Sequence, residues 1–383
     1  MQLRKLFIGI LAACALIVII LFFVGLTLNK LHYNRKFILH EPLTRSAPSV
    51  SAIPRHKAIE RILVLDGGGS HGIAELKVLA AIEKQAGKPI NQLFDMVVGV
   101  STGAIISTYL TAPNHSGEAK YTPSDLISMY SDNLHRVLKA SKTRRFFTFS
   151  GLFNGFYSTY NMNTIFHRYL GKVRFNQSIV PTIIPVFCAQ KRRLMFFKSW
   201  CANDTCDESS FSGDFYSADV ATASSAIPVI FNPVKIEGAQ RCLDAVDSAV
   251  FVNDPALYVL PLIDEKVKAK RYIIVDIGAN IAKSSENGTM YQRLTGLYWL
   301  RHFVTINLGI NARQATNLFK TRFLANNVTF WHLLVNLQQC ADGLDVSKYC
   351  IQYLNDAGDE YVKQNHMRLA KIANQLTDEH LLQ

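Results

Sequence analysis

The chain opens on an apolar run, residues 6–28, that carries no charged side chain. A helix over this run measures about 34 Å, enough to cross a hydrocarbon core of roughly 30 Å, so residues 1–28 are expected to hold a membrane anchor. Residues 29–60 turn polar, with Pro42, Pro48 and Pro54 spread through them, and read as a juxtamembrane linker. From residue 61 the pattern changes. Residues 61–65 form a short apolar run that stops at glycines, which predicts a buried strand. Residues 73–86 repeat apolar side chains at 73, 76, 79/80 and 82/83 before Gly87 and Pro89, the pattern of a helix with its stop. Residues 94–99 predict a second strand, and 102–111 a second helix ended by Pro113. Runs at 182–187, 194–197 and 272–277 read as central strands, and 290–318 and 360–376 as helical stretches. Strands alternating with helices imply an α/β architecture, a parallel or mixed sheet covered on both faces. No break in composition divides 61–383, which is expected to be one domain with a helical C-terminal part.

Composition narrows the class. A hydrophobic content of 49% with 12 Pro and 21 Gly excludes a disordered or collagen-like chain. Lys and Arg number 41 against 29 Asp and Glu, a net charge of +12 that suits nucleic acid or an anionic membrane. The apolar run selects the membrane. A cleaved signal peptide would have a shorter apolar core and a small-residue cleavage site, and nothing of that kind follows Leu28. Leu11-Ala12-Ala13-Cys14 has the form of a lipoprotein processing box, but apolar residues follow it instead of a polar tether. Arg4 and Lys5 precede the run while Lys30, His32, Arg35 and Lys36 follow it, which favours a body on the cytoplasmic side. The 7 Cys are too sparse for a disulfide-built scaffold, although Cys201/Cys206 and Cys340/Cys350 are spaced to pair if the body faces an oxidising space. No C-x-x-C or H-E-x-x-H spacing occurs, so neither a metal nor a cofactor is expected.

Two glycine motifs carry the chemistry. Gly67-Gly68-Gly69-Ser70-His71-Gly72 lies between the first strand and the first helix and spells G-x-G-x-x-G. It fits a dinucleotide cradle, but Asp95, the ribose-binding candidate, precedes the second strand where it should end it. Consecutive glycines equally let backbone N–H groups converge on a transient oxyanion. Gly99-Val100-Ser101-Thr102-Gly103 is G-x-S-x-G at the next strand-to-helix junction, where a sharp turn lifts a serine hydroxyl into a cleft. Such a serine needs a base. His302 and His332 are available but sit in apolar, helix-like surroundings; a carboxylate can instead take the proton directly in a dry site, and Asp247 is the candidate, with Asp244 its competitor.

The ordered blocks Asp66–Gly72, Gly99–Gly103, Ala221–Pro228 (ATASSAIP) and Asp247–Pro255 (DSAVFVNDP) resemble the patatin-like phospholipase family over most of residues 61–257. The resemblance implies a three-layer α/β/α fold with a central, mostly parallel sheet. It also implies a Ser101–Asp247 dyad without histidine or metal, an oxyanion hole of Gly67, Gly68 and Gly69, and hydrolysis of acyl esters in phospholipids or lysophospholipids. Two residues depart from the family pattern. His71 stands where Arg or Lys is usual and is expected to contact an anion or head group, and Ser248 replaces a glycine beside Asp247. Residues 135–157, with Arg136, Lys139, Lys142, Arg144 and Arg145 followed by a run of Phe, suit either a bilayer interface or a solvated basic helix end. The expected partners are therefore membrane lipids and not nucleic acid. A catalytically silent lipid-binding or scaffolding protein, or an acyltransferase, is the competing expectation.

Overall fold

The computed structural model describes residues 16–20, 22–24, 27, 37–41, 58–142, 144, 155–201, 206–256, 269–281 and 327–378. Among them a mixed sheet is built from β1 (Phe37–His40), β2 (Ile59–Leu65), β3 (Met96–Gly99), β4 (Thr182–Cys188), β5 (Arg193–Lys198), β6 (Ser210–Phe211), β7 (Val234–Glu237), β8 (Cys242–Val246), β9 (Arg271–Asn280) and β10 (Val328–Asn336). The order is β1-β7-β8-β4-β3-β2-β9-β10, with β5 joining β4 to β6. The run from β4 through β3, β2 and β9 to β10 is parallel throughout, and antiparallel pairing is confined to β4–β5, β4–β8 and β7–β8. β2 and β3 are nearly continuous apolar runs because both of their faces are covered.

The α-helices of eight residues or more among the described residues are α1 (Gly72–Ala86), α2 (Thr102–Leu110), α3 (Pro123–Val137), α4 (Thr159–Leu170), α5 (Ser217–Ser224), α6 (Lys348–Gln364) and α7 (His366–Thr377). Several begin or end on recognisable chemistry. Gly87 closes α1 in the left-handed conformation, and a Thr122–Asp125 capping box with Pro123 in the first turn opens α3. All seven helices contribute to one large apolar core that includes Leu63, Leu65 and Ile277 of the sheet. Ile62, Val64, Met96, Val98 and Ile274, on the opposite face, form a smaller cluster to which none of these helices contributes.

Several expectations change. Part of the expected linker is strand: Phe37–His40 pairs with Val234–Glu237, tying residues ahead of the domain into its edge. The surroundings of His332 are strand, not helix, because Val328–Asn336 alternates on the sheet beside β9. The helix expected at 290–318 lies outside the described residues. So does most of the 6–28 run; its described parts, 16–20 and 22–24, are helical, and Leu16, Val18 and Phe23 are 58%, 65% and 61% exposed. Among the described residues no helix is long and apolar enough to cross a membrane. Cys201–Cys206 and Cys340–Cys350 are disulfides, as their spacing allowed, and a third, Cys188–Cys242, staples β4 to β8.

Candidate active site

The register Leu65↔Gly99 brings the ends of β2 and β3 side by side, so the two glycine motifs leave the sheet at the same edge. Ser101, at the start of α2, has φ 55° and ψ −118°, a conformation that costs a non-glycine residue on the order of 1–3 kcal/mol. Its neighbours hold it there. A Cβ on Gly99 would lie 2.2 Å from the Gly103 carbonyl oxygen, and one on Gly103 would lie 2.2 Å from that of Leu65, so both flanking positions exclude a side chain. The Ser101 N–H donates to Ser224 Oγ (3.2 Å), and Ser225 Oγ donates to the Ser101 carbonyl (3.3 Å). Ser224 in turn donates to the Pro185 carbonyl on β4 (2.8 Å). The block around residue 224 thus buttresses the elbow.

The same block positions the carboxylate. The Asp247 N–H donates to the Ala226 carbonyl at 3.0 Å, where the chain leaves β8. Asp247 is fully buried; its Oδ1 accepts the Ala249 amide at 2.8 Å, while Oδ2 has no partner at direct hydrogen-bond distance. Burial pushes its pKa up to about 7, and the Ser101 hydroxyl and the Ala249 amide, which favour the charged form, restrain the rise. Ser101 and Asp247 therefore meet in one buried place. Asp244 sits earlier on β8 and is only partly buried. Ser248 is accommodated, buried with its hydroxyl donating to the Pro185 carbonyl at 3.3 Å.

The glycine loop closes over the serine. A Cβ on Gly67 would lie 2.6 Å from Asn253 Oδ1, 2.8 Å from Ala249 Cβ and 3.2 Å from Ser101 Cβ, so only glycine fits. The Gly67 amide leans on the Asn253 carbonyl at 3.4 Å. The Gly69 carbonyl is held away by Thr102 Oγ1 (2.7 Å) and the Tyr130 hydroxyl (3.3 Å), and the Gly68 carbonyl accepts the His71 amide (3.2 Å). Among the described residues the amides of Gly68 and Gly69 donate to nothing, the state an oxyanion hole requires.

His71 does not make the expected contact with an anion or head group. It is 1% exposed, its Nε2 lies 2.8 Å from the Cys340 carbonyl, and burial lowers its pKa, so it is a neutral prop beneath the loop. Gly343 completes that support by accepting the Ser70 amide at 2.7 Å. His332 is on β10 and is not among the residues lining the cleft; His302 lies outside the described residues.

From Ser101 a narrow apolar cleft runs between α2, α3 and α4, open to solvent at its mouth. Ile105, Ile106 and Tyr109 form one wall, Leu126, Met129 and Leu134 a second, and Met162, Ile165 and Phe166 a third. This cleft was not anticipated, although the apolar stripes of α3 and α4 were its signal. Within 135–157, Arg144 is turned inward, donating to the carbonyls of Gly155 (2.7 Å) and Tyr157 (2.8 Å), and most of the Phe run lies outside the described residues.

A family model for patatin-like phospholipase matches residues 63–260, which contain the elbow, the loop and Asp247. Patatin-like protein 4 of Arabidopsis thaliana is 27% identical over 255 residues, covering 61% of this chain and 62% of that protein. Probable inactive patatin-like protein 9 of the same plant is 29% identical over 212 residues, covering 51% and 52%. The chain thus matches less than two thirds of the length of these relatives. The crystal structure of VipD from Legionella pneumophila aligns with 84% of this chain and 67% of its own at 13% identity, with a TM-score of 0.35.

Proposed function

The chain belongs to the patatin-like phospholipase family, and from that premise we propose that it is a lipid acyl hydrolase of the phospholipase A or lysophospholipase type. In this reading the ionised Asp247 takes the Ser101 proton as the serine oxygen attacks the ester carbonyl. The negative oxygen that develops is received by the glycine-loop amides, chiefly those of Gly68 and Gly69. The lipid alcohol departs with the proton, leaving an acyl-serine. Water, deprotonated by Asp247, then releases the fatty acid. No step calls on a histidine or a metal. The apolar cleft suits the acyl chain, since it begins at Ser101 and its lining offers few polar groups.

The observation that carries the reading is the pairing of a serine at φ 55°, at the root of an apolar cleft, with the fully buried Asp247 carboxylate beside it. Labelling of the purified chain by a fluorophosphonate tests it. Labelling that Ser101→Ala and Asp247→Asn abolish and His302→Ala preserves supports the dyad; absence of label on folded protein supports a silent scaffold. Labelled protein that passes its acyl group to an added alcohol in preference to water is an acyltransferase.

Residues 6–28 serve in this reading as a membrane anchor. The exposed apolar side chains of the described helical residues 16–20 and 22–24 suit lipid. The three disulfides favour a body that faces an oxidising compartment, against the sidedness read from flanking charge. Protease protection of the body in sealed microsomes, retained through alkaline extraction, is the expected result.

A further inference from the structure

Behind the glycine loop, on the sheet face opposite the helices, buried carboxylates gather with few donors: among them only Asp254 accepts a hydrogen bond, from the Ala256 amide at 3.0 Å. Parallel pairing sets Asp276 on β9 between Val64 on β2 and His332 on β10, so these three side chains share a face. Asp66, two residues beyond Val64, comes level with Gly278; a Cβ at 278 would lie 2.1 Å from Asp66 Oδ2, so the absent side chain is what admits the Asp66 carboxylate. Asp254 approaches from the turn after Asp247. One ligand atom each from Asp254, Asp276 and His332 lie within 4.8 Å of one another, and His332 Nε2 is 3.5 Å from Asp276 Oδ2.

We propose that Asp254, Asp276 and His332, with the Asp66 carboxylate adding its negative charge nearby, form a binding site for a divalent transition cation of the Mn²⁺ or Zn²⁺ kind. Asp66 and Asp276 are fully buried and neither has a hydrogen-bond partner on either oxygen; Asp254 is fully buried and has none on Oδ2. Asp66 is independent of the three-residue cluster and points the same way: a buried, unpartnered carboxylate close enough to Asp276 and Asp254 to repel both. Glu75, also fully buried and unpartnered, adds to that repulsion. Among the described residues no Lys or Arg pairs with any of them. Unpaired buried carboxylates are strongly disfavoured, and a bound dication answers the whole group at once. The imidazole among the donors selects a transition cation over Ca²⁺, which prefers oxygen alone.

The cation would pin β9, β10 and the 253–254 turn together. That bears on the loop in front, because the Asp66 carbonyl accepts the Gly103 amide (3.1 Å) and the Asn253 carbonyl accepts that of Gly67. The role is structural support and involves no bond to substrate. The ligands come from three separate segments, which is why no short metal-binding spacing marks them in the sequence.

The test is direct binding, independent of the acyl-hydrolase reading. The full chain in detergent is stripped with EDTA and titrated with Mn²⁺, followed by electron paramagnetic resonance and calorimetry, with Zn²⁺ and Ca²⁺ as competitors. One Mn²⁺ per chain is expected, displaced by Zn²⁺ and poorly by Ca²⁺. At a hundredfold excess over Kd the melting temperature should rise by about 5 °C. Asp276→Asn and the milder His332→Gln should each weaken binding tenfold or more. No saturable uptake of Mn²⁺ or Zn²⁺ by the folded wild-type chain overturns the proposal, and that arm does not require any variant to fold. Uptake unchanged in both variants overturns it too. So does a melting temperature insensitive to metal that Asp276→Asn raises, the signature of a cluster held neutral by protons.

Discussion

Two sets of buried carboxylates lie on either side of the glycine loop, and they differ in what surrounds them. Asp247, on the cleft side, has an amide on one oxygen and a serine hydroxyl nearby, so burial lifts it only to about 7. Asp66 and Asp276, on the far side, have no donors and face one another, so burial and mutual repulsion push both well above the usual carboxylate range. Burial is common to both sets; Asp254, also on the far side, accepts the Ala256 amide and rises only to about 7, so it is the lack of donors that sets Asp66 and Asp276 apart. A carboxylate given one or two donors remains able to exchange a proton near neutrality, which is what a general base needs. A group of carboxylates given none calls for a cation or for protons.

The sharpest way to break this comparison is to remove the charge from Asp247. Asp247→Asn is expected to lower ester turnover about 10⁴-fold, as Ser101→Ala should, because the two act as a unit. The same variant should be more stable than wild type at pH 8. The native pKa of Asp247 is raised, so its stabilising contribution is present at low pH and lost as pH rises from the ordinary carboxylate range through about 7. The gain at pH 8 should be on the order of a few kcal/mol. Urea unfolding at pH 5 and pH 8 measures it, and equal stability of variant and wild type at pH 8 would contradict the assigned environment.

Gly69→Ala comes next, because the loop is the wall between the two regions. Gly69 has φ 60°, and a Cβ there would lie 2.2 Å from the Gly343 carbonyl oxygen, so the loop must move and its amides with it. A fall in kcat of about 10²–10³-fold with KM little changed is expected, the effect of losing an oxyanion donor. A smaller effect follows from pH alone. Since Asp247 acts ionised, kcat/KM for the wild-type chain should climb through about pH 7 and then level. A profile already flat at pH 5 would mean that the carboxylate is far less shielded than its burial indicates.

How much of this was legible in the sequence depended on whether the information was local. The elbow at Ser101 and the glycine loop were readable because each is a short backbone conformation with its own residue requirements. Asp247 was singled out over Asp244 only through the family resemblance, by its offset to Asn253-Asp254-Pro255. The role of His71 was not, because its partner is the Cys340 carbonyl, 269 residues away. His332 was misread as helical because an apolar run with one polar residue has no decisive period, and only its pairing with β9 fixes the face it occupies. The Asp66–Asp254–Asp276 group and the Cys188–Cys242 bridge escaped notice for the same reason: each exists only after strands distant in sequence are set in register.

The smallest expected effect comes from behind the loop, where the C-terminal region supports it. Cys340 and Gly343 hold His71 and Ser70 through their backbone carbonyls, and the Cys340–Cys350 disulfide ties that segment to the start of α6. Cys350→Ser removes the tie but leaves every hydrogen bond to the loop possible. A loss of about 2–3 kcal/mol of stability is expected from the freed loop entropy. Turnover should fall only several-fold, since the loop still visits its working geometry while its average position blurs. Reductant should lower wild-type activity at least to the level of the untreated variant, since it also opens Cys188–Cys242 and Cys201–Cys206. If the variant instead lost turnover as completely as Asp247→Asn, the C-terminal segment would belong to the site itself, and the separation of a cleft that reacts from a scaffold that holds it would be wrong.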